Sequence, residues 1–177
     1  MFKALFILFM VFSIFSIECK KTKKGSLAPQ FSSMGDDGKK HSLADYKGKK
    51  VILYFYPKDD SAWCTQEAQG FRDHFEIFKK NNIEILGISC DSVETHKAFK
   101  AKHNLPFTLL SDPKSKIFKL YGAKGLLINS RISYLINESG IILHVFSNIN
   151  SKTHAEDVLK YLGIKFKAIS ATSCNIN

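Results

Sequence analysis

The sequence predicts a three-layer α/β domain with a mixed central sheet and an N-terminal β-hairpin extension. Short apolar runs alternate with segments of helical spacing, and the series closes with a strand–turn–strand unit and a last helix. The length of 177 residues suits one domain with a leader or a tail. We place the domain at 29–163, after a leader at 1–19 and a basic linker at 20–28, and before a flexible tail at 164–177.

The first half of the domain alternates strand and helix. Residues 31–43 contain a turn cluster at 34–38 and predict a hairpin. Residues 51–56 form a continuous β-rich apolar run that stops at Pro57, which is typical of a strand buried on both faces. Apolar side chains at helical spacing predict a helix over 64–81.

The second half continues the alternation and adds a closing hairpin. The predicted strands cover 83–89, 105–110, 132–137 and 141–146. The predicted helices cover 91–103 with Asp91 or Ser92 as cap, a short segment after Asp112-Pro113, and a final stretch from Thr153 to Gly163. This order suits a thioredoxin-like fold with an N-terminal extension.

The formal charge of +10 comes from lysines spread along the chain, and the arginines are Arg72 and Arg131 alone. Arginine reads bases and phosphates bidentately, and no nucleic-acid motif accompanies the lysines, so we expect no nucleic-acid partner. The cysteines and histidines show no zinc spacing. We therefore expect no metal and no cofactor.

The leader carries an apolar and serine-rich stretch at 4–17, followed by Cys19 and a lysine-rich run. This stretch is too short for a membrane span of about 20 residues and suits the core of a signal peptide. Cys19 resembles a lipoprotein attachment cysteine. We expect an exported, periplasmic or membrane-tethered protein. An uncleaved anchor and a cytoplasmic protein are the alternatives.

The segment 54–65 places Cys64 at the start of a helix, just past the carboxyl end of a buried strand. Unpaired N–H groups and the positive end of the helix favour thiolate over thiol at such a position. Ser61 lies within reach of the sulfur, and Arg131 begins a predicted strand that brings a guanidinium near it if both strands share a sheet. The alternative is a buried cysteine that packs as a small apolar residue.

Pro57, Ser61 and Cys64 match, in register, the active-site pattern of the peroxiredoxins: Pro, three residues, Thr or Ser, two residues, Cys. The chain resembles in particular the bacterioferritin comigratory protein, or peroxiredoxin Q, group. The likeness runs from about Lys24 to Gly163. Further matching segments are 71–73, 88–92, 107–112 and 131–136.

The resemblance implies an antioxidant thiol peroxidase that reduces hydrogen peroxide and organic hydroperoxides. Cys64 is then the peroxidatic thiolate and becomes a sulfenic acid. Arg131 stabilises the charge, Ser61 binds the peroxide and Pro57 shields the sulfur. Thioredoxin or another dithiol recycles the enzyme, which we expect to be a monomer or a weak dimer.

Two positions depart from the group pattern. Ala62-Trp63 stands where the group usually has Pro-Gly, and Gln69 occupies the usual place of the resolving cysteine. Cys90, which follows the next parallel strand, is the first candidate to resolve the sulfenic acid. An external thiol in a one-cysteine cycle and Cys174 on the tail are the others.

Glu67 and Asp73 lie on the same predicted helix as Cys64, and a carboxylate near a thiolate disfavours its charge, so neither receives a catalytic role. The histidines are expected to be solvent-facing or satisfied. Two other functions stay open. A thioredoxin-type thiol-disulfide oxidoreductase needs a second cysteine where Ser61 stands, and a catalytically altered, membrane-tethered binding module is suggested by Ala62-Trp63.

Overall fold

The computed structural model of the chain describes residues 22–125 and 130–167, so Cys19 and Cys174 lie outside the described residues. The strands are β1 (Ser32–Gly35), β2 (Lys40–Ser42), β3 (Lys50–Phe55), β4 (Ile83–Ser89), β5 (Thr108–Ser111), β6 (Ile132–Ile136) and β7 (Ile142–Phe146). The helices are α1 (Ala62–Asp73), α2 (Phe75–Lys80), α3 (Val93–His103), α4 (Lys116–Leu120) and α5 (His154–Tyr161), with a 3-10 helix at Leu43–Tyr46.

Across the described ranges the strands form one sheet in the order β2-β1-β5-β4-β3-β6-β7. β3, β4 and β5 are parallel, whereas β6 runs antiparallel to β3 and β7 antiparallel to β6. The hairpin β1–β2 extends the sheet at the edge opposite β7, where β1 pairs antiparallel with β5. The predicted mixed sheet and N-terminal hairpin are confirmed.

Each face of the sheet has its own apolar core. On one face, alternate residues of β3 such as Ile52 and Tyr54 pack against α1, α2, α3 and α5. On the other face, Leu53 and Phe55 pack against α4 and the segment that precedes β1. Cys64 belongs to the first core, so the start of α1 lies on the helix-rich face of the sheet.

The helix predicted over 64–81 is broken at His74. The backbone leaves helical geometry there (φ −102°, ψ 5°), and α2 starts at the next residue. The Nδ1 atom of His74 lies 2.9 Å from the Gly70 carbonyl oxygen, so the side chain competes for an acceptor of the helical ladder. Helical spacing alone predicts one helix because Phe71 and Phe78 still face the same core.

α3 has a clear start and end. Ser92, one of the two predicted caps, accepts a hydrogen bond from the Thr95 N–H at 3.2 Å. At the other end Asn104 adopts the left-handed conformation (φ 50°), and the Leu105 N–H returns to the Lys100 carbonyl at 3.0 Å. Because the Leu105 N–H bonds back to the end of α3, this residue does not join the sheet. β5 therefore starts at Thr108 rather than at the predicted residue 105.

Residues on both sides of the predicted domain contact it. The Gly25 N–H bonds to the Ile142 carbonyl and the Ala28 N–H to the Gly140 carbonyl, both at 2.8 Å. After α5, Ile164 and Phe166 pack against the helix-rich core. These parts of the predicted linker and tail extend the packed structure beyond 29–163. No helix within 22–125 or 130–167 is long and apolar enough to cross a membrane.

Candidate active site

The site lies at the carboxyl end of β3, where the chain passes from a buried strand through a short loop into α1. Ser61 is the N-cap residue, and Cys64 lies in the first turn of the helix. N–H groups in a first turn have no acceptor within the helix, and the helix is positive at this end. The Cys64 side chain is buried, at 2% exposure, so a charge on its sulfur depends on protein groups for stabilisation.

Arg131 supplies the principal charged contact of the sulfur. Its Nη2 atom donates to the Cys64 Sγ at 3.2 Å. Ile132, the first residue of β6, pairs with Phe55, the last residue of β3, because these strands are antiparallel. The antiparallel register therefore brings the start of β6 to the same sheet edge as the loop before α1. Arg131, which immediately precedes β6, therefore lies beside Cys64, as expected if both strands share a sheet.

Glu67 is the second partner of Arg131. Its Oε2 accepts from the Arg131 Nη1, and its Oε1 lies 2.7 Å from the Nδ1 of His154, the first residue of α5. Burial lowers the pKa of Arg131, but the neighbouring Glu67 carboxylate and Cys64 sulfur outweigh it and raise that pKa above its usual value. The guanidinium therefore stays charged between its two acceptors.

From the sequence alone, Glu67 has no catalytic role, because a carboxylate near a thiolate disfavours its charge. The structure shows it buried at 1% exposure and neutralised by the guanidinium. Its position three residues after Cys64, on the same helix face, was a usable signal. His154 gave no such signal because 87 residues separate it from Glu67. Asp73 has no part in the site and pairs with Arg72 on the surface.

The other predicted site residues lie in the loop before α1. The Ser61 hydroxyl donates to the Lys58 carbonyl at 3.1 Å and keeps its acceptor lone pairs. Pro57 is half-buried and lies two residues after the end of β3. Cys90 lies after β4, with its Sγ 3.3 Å from the Ser115 Oγ, and packs against the core on the opposite face from Cys64.

A buried polar cluster anchors the same loop. The Asp59 carboxylate accepts from the Tyr56 hydroxyl at 2.7 Å and lies 2.8 Å from the His96 Nδ1. The Asp59 N–H donates to the Asp91 carboxylate at 2.8 Å. His96 is fully buried, and its Nε2 lies 3.2 Å from the Leu110 carbonyl, so this histidine is satisfied as predicted. The loop is tied to α3 and to the segment after β4.

Trp63 projects from the first turn of α1 with 63% of its surface exposed. It is adjacent to the buried Cys64 in sequence, and Ala62 beside it is also exposed. Ala62 and Trp63, which replace the Pro-Gly of the group pattern, therefore form part of the surface around the site.

Residues 25–145 match the AhpC/TSA family. The peroxiredoxin Q of Oryza sativa subsp. japonica is 41% identical over 148 residues, which is 81% of this chain and 68% of that protein. The peroxiredoxin bcp of Coxiella burnetii is 44% identical over 146 residues, 76% of this chain and 95% of that protein. The chain belongs to the peroxiredoxin family. The relatives that it matches are named peroxiredoxin Q and peroxiredoxin bcp.

Solved structures of peroxiredoxins have the same fold. The peroxidoxin BcpB of Mycobacterium tuberculosis has a TM-score of 0.75 at 28% identity and covers 80% of this chain and 97% of its own. A cysteine-to-serine mutant of PrxQ from Xylella fastidiosa has a TM-score of 0.72 at 27% identity and covers 78% and 95%. The thioredoxin-like peroxiredoxin fold predicted from the sequence is confirmed.

Proposed function

We propose that this peroxiredoxin reduces hydrogen peroxide and organic hydroperoxides, with Cys64 as the peroxidatic residue. The relatives are thiol peroxidases by name, and one similar structure is described for the alkyl peroxide reduction activity of the Xanthomonas campestris bacterioferritin comigratory protein. The observation that carries the assignment to Cys64 is the 3.2 Å contact between its sulfur and the Arg131 guanidinium, in the first turn of α1.

In the reaction, the Cys64 thiolate attacks the terminal oxygen of the hydroperoxide. An S–O bond forms, the O–O bond breaks, and the leaving alkoxide or hydroxide takes up a proton to give alcohol or water. The sulfur is oxidised to a sulfenic acid and the peroxide is reduced. Arg131 stabilises the negative charge on the sulfur and on the departing oxygen. The Ser61 hydroxyl, whose proton is donated to the Lys58 carbonyl, accepts a hydrogen bond from the peroxide O–H, and Pro57 shields the sulfur from solvent.

Recycling requires a thiol, and we assign the external reductant to thioredoxin or a similar dithiol. Cys90 remains the first candidate for the resolving residue, followed by an external thiol and Cys174. Because Cys90 and Cys64 pack in cores on opposite faces of the sheet, pairing them requires the first turn of α1 to unwind and bring the sulfurs into bonding range.

Neither alternative function is favoured by the site. A thioredoxin-type oxidoreductase needs a second thiol three residues before Cys64, and that position is the Ser61 hydroxyl. A binding module without chemistry needs no guanidinium on a buried sulfur. The enzyme assignment is therefore the simpler one.

For location, we propose export with tethering through the N-terminus, and a cytoplasmic location is the alternative. The support is the apolar stretch at 4–17 followed by Cys19. Fractionation of cells that make the full chain, with mass spectrometry of the N-terminal peptide, tests this proposal. Lipid on residue 19 supports the tether, and an unmodified N-terminus in the soluble fraction contradicts it.

The enzyme proposal is tested by mixing the reduced protein with one equivalent of hydrogen peroxide. We expect rapid consumption of about one equivalent of peroxide per chain, no such consumption in Cys64→Ser, and an unchanged first oxidation step in Cys90→Ser. Non-reducing mass spectrometry of the treated wild type then identifies the sulfur that pairs with Cys64. Insulin reduction without peroxide consumption would support the oxidoreductase instead.

A further inference from the structure

His154 is a buried group that the reaction above does not use. It is the first residue of α5, and only 1% of its surface is exposed. Its Nδ1 lies 2.7 Å from the Oε1 of Glu67. Glu67 in turn gives its other oxygen to Arg131, whose remaining amino group contacts the Cys64 sulfur. Four side chains from three separate elements thus form one continuous polar chain that ends at the reacting atom.

The proton on His154 can be assigned from its partners. An ionised carboxylate only accepts hydrogen bonds, so the Nδ1 of His154 is the donor. The Nε2 is buried and has no partner in the part of the chain that the structure describes. The ring lies against the rings of Phe71 and Phe146, at centroid distances of 5.1 and 5.6 Å. In such surroundings a bare acceptor nitrogen costs less than an unpaired N–H, which favours the tautomer with its proton on Nδ1.

The guanidinium of Arg131 has two amino groups in a fixed fork that matches a carboxylate bidentately. If both oxygens of Glu67 were free, the preferred arrangement would engage both of these groups and remove Nη2 from the sulfur. In the structure Arg131 contacts Oε2, while Oε1 lies 2.7 Å from the Nδ1 of His154, a contact that orients this oxygen toward α5. The carboxylate therefore takes Nη1 and leaves Nη2 for Cys64.

We propose that His154 is a positioning residue of the peroxidase site: by occupying one oxygen of Glu67 it divides the Arg131 guanidinium between carboxylate and sulfur. This inference rests on the proposed role of Cys64. His154 touches neither sulfur nor peroxide, and it acts only through Glu67. The series of contacts from His154 through Glu67 and Arg131 thereby couples the position of α5 to the charge on the Cys64 sulfur.

The test compares two substitutions of the same residue. His154→Leu removes the donor at similar bulk, whereas His154→Asn keeps an N–H near the position of Nδ1. We expect His154→Leu to slow oxidation of Cys64 by hydrogen peroxide about tenfold, less than the loss of a direct donor. In this variant, the ultraviolet absorbance of the Cys64 thiolate should appear at higher pH than in the wild type. His154→Asn should stay within about threefold of the wild-type rate.

His74→Leu is the matched control. His74 is also buried, also has an unpartnered Nε2, and contacts a backbone carbonyl outside the site. We expect it to lower the melting temperature without changing the rate or the thiolate titration. In a Glu67→Gln background, His154→Leu should have no further effect on the rate, because the two residues act in series.

The proposal is overturned if His154→Leu reacts and titrates like the wild type, or if His154→Asn is as slow as His154→Leu. Should His154→Leu fail to fold, nitrogen NMR of the labelled wild type decides, since a ring protonated on Nε2 rather than Nδ1 contradicts the assigned contact. A wild type that does not react with peroxide refutes the role of Cys64 instead, so the two failures are distinct.

Discussion

The guanidinium of Arg131 is shared between the Cys64 sulfur, 3.2 Å from Nη2, and the Glu67 carboxylate, which accepts from Nη1. One cation thus serves two acceptors that lie one turn apart on α1. The carboxylate orients the guanidinium through Nη1, and Nη2 remains free to donate to the sulfur.

Removing the guanidinium should slow the chemistry. Arg131→Met keeps the length of the side chain and abolishes the donor to Cys64, so we expect peroxide oxidation of Cys64 to slow by well over tenfold, about a hundredfold for loss of one preorganised donor. Stopped-flow measurement of the oxidation checks this. Arg72→Met is the control, because Arg72 contacts Asp73 and the His103 carbonyl on the surface. Equal rates in both variants would remove Arg131 from the site.

Neutralising Glu67 should cost stability. Glu67→Gln keeps the shape but leaves the half-buried Arg131 without its ion-pair partner. Loss of one partner of a buried pair is strongly destabilising, and we expect the free energy of unfolding to fall by about 3 kcal/mol in urea titrations. Glu76→Gln on the exposed face of α2 should change it by less than about 0.5 kcal/mol. Similar small effects in both variants would contradict a structural role for Glu67.

The stacked side chains of Tyr54 and Tyr56 differ in whether the hydroxyl has a hydrogen-bond partner among the described residues. Tyr54 and Tyr56 are both buried with ring centroids 5.3 Å apart, but the Tyr54 hydroxyl has no partner among the described residues, whereas the Tyr56 hydroxyl donates to Asp59. We expect Tyr54→Phe to raise the free energy of unfolding by about 1 kcal/mol and Tyr56→Phe to lower it by about 2 kcal/mol. Chemical denaturation of both variants checks the opposite signs.

The cluster around Asp59 should restrain the loop that precedes Cys64. Asp59→Asn weakens the contacts to Tyr56 and His96, so we expect alkylation of the Cys64 peptide to become several-fold faster by mass spectrometry. The adjacent Asp60→Asn is the control, since Asp60 is exposed and pairs with Lys102 and His103. Asparagine also tolerates the left-handed backbone at this position (φ 56°). Faster alkylation in both variants would mean that loop charge, not the buried cluster, restrains Cys64.

His144 should make stability depend on pH. Burial and then the charge of Lys24 lower the pKa of His144 in the folded protein. The unfolded chain therefore binds more protons below the ordinary histidine value of about 6.5, and the contribution present above that pH is lost as pH falls through the lowered folded pKa.

The matched variant for this effect is His144→Phe, which keeps the ring contacts with Phe146 and Tyr161. We expect the wild type to lose more unfolding free energy than the variant between about pH 8 and pH 5. Parallel denaturation curves across this range, with a constant difference between the two proteins, would show that His144 does not contribute.

Local patterns predicted the strands and the helix starts well. The apolar run at 51–56 and the residues after it located β3, the loop and the first turn of α1, because strand burial and helix capping are properties of neighbouring residues. The break at His74 and the late start of β5 escaped prediction. Both result from a side chain or a cap that competes for backbone acceptors.

The sequence by itself located the cysteine that we propose as the reactive one, its place at a helix start, and the arginine that contacts it. Only the tertiary structure decided that Glu67 is paired rather than free, that His154 holds it, and that Cys90 packs on the opposite face. The physical reason is separation along the chain. Contacts across 67 and 87 residues depend on strand order, register and helix docking, which no local spacing encodes.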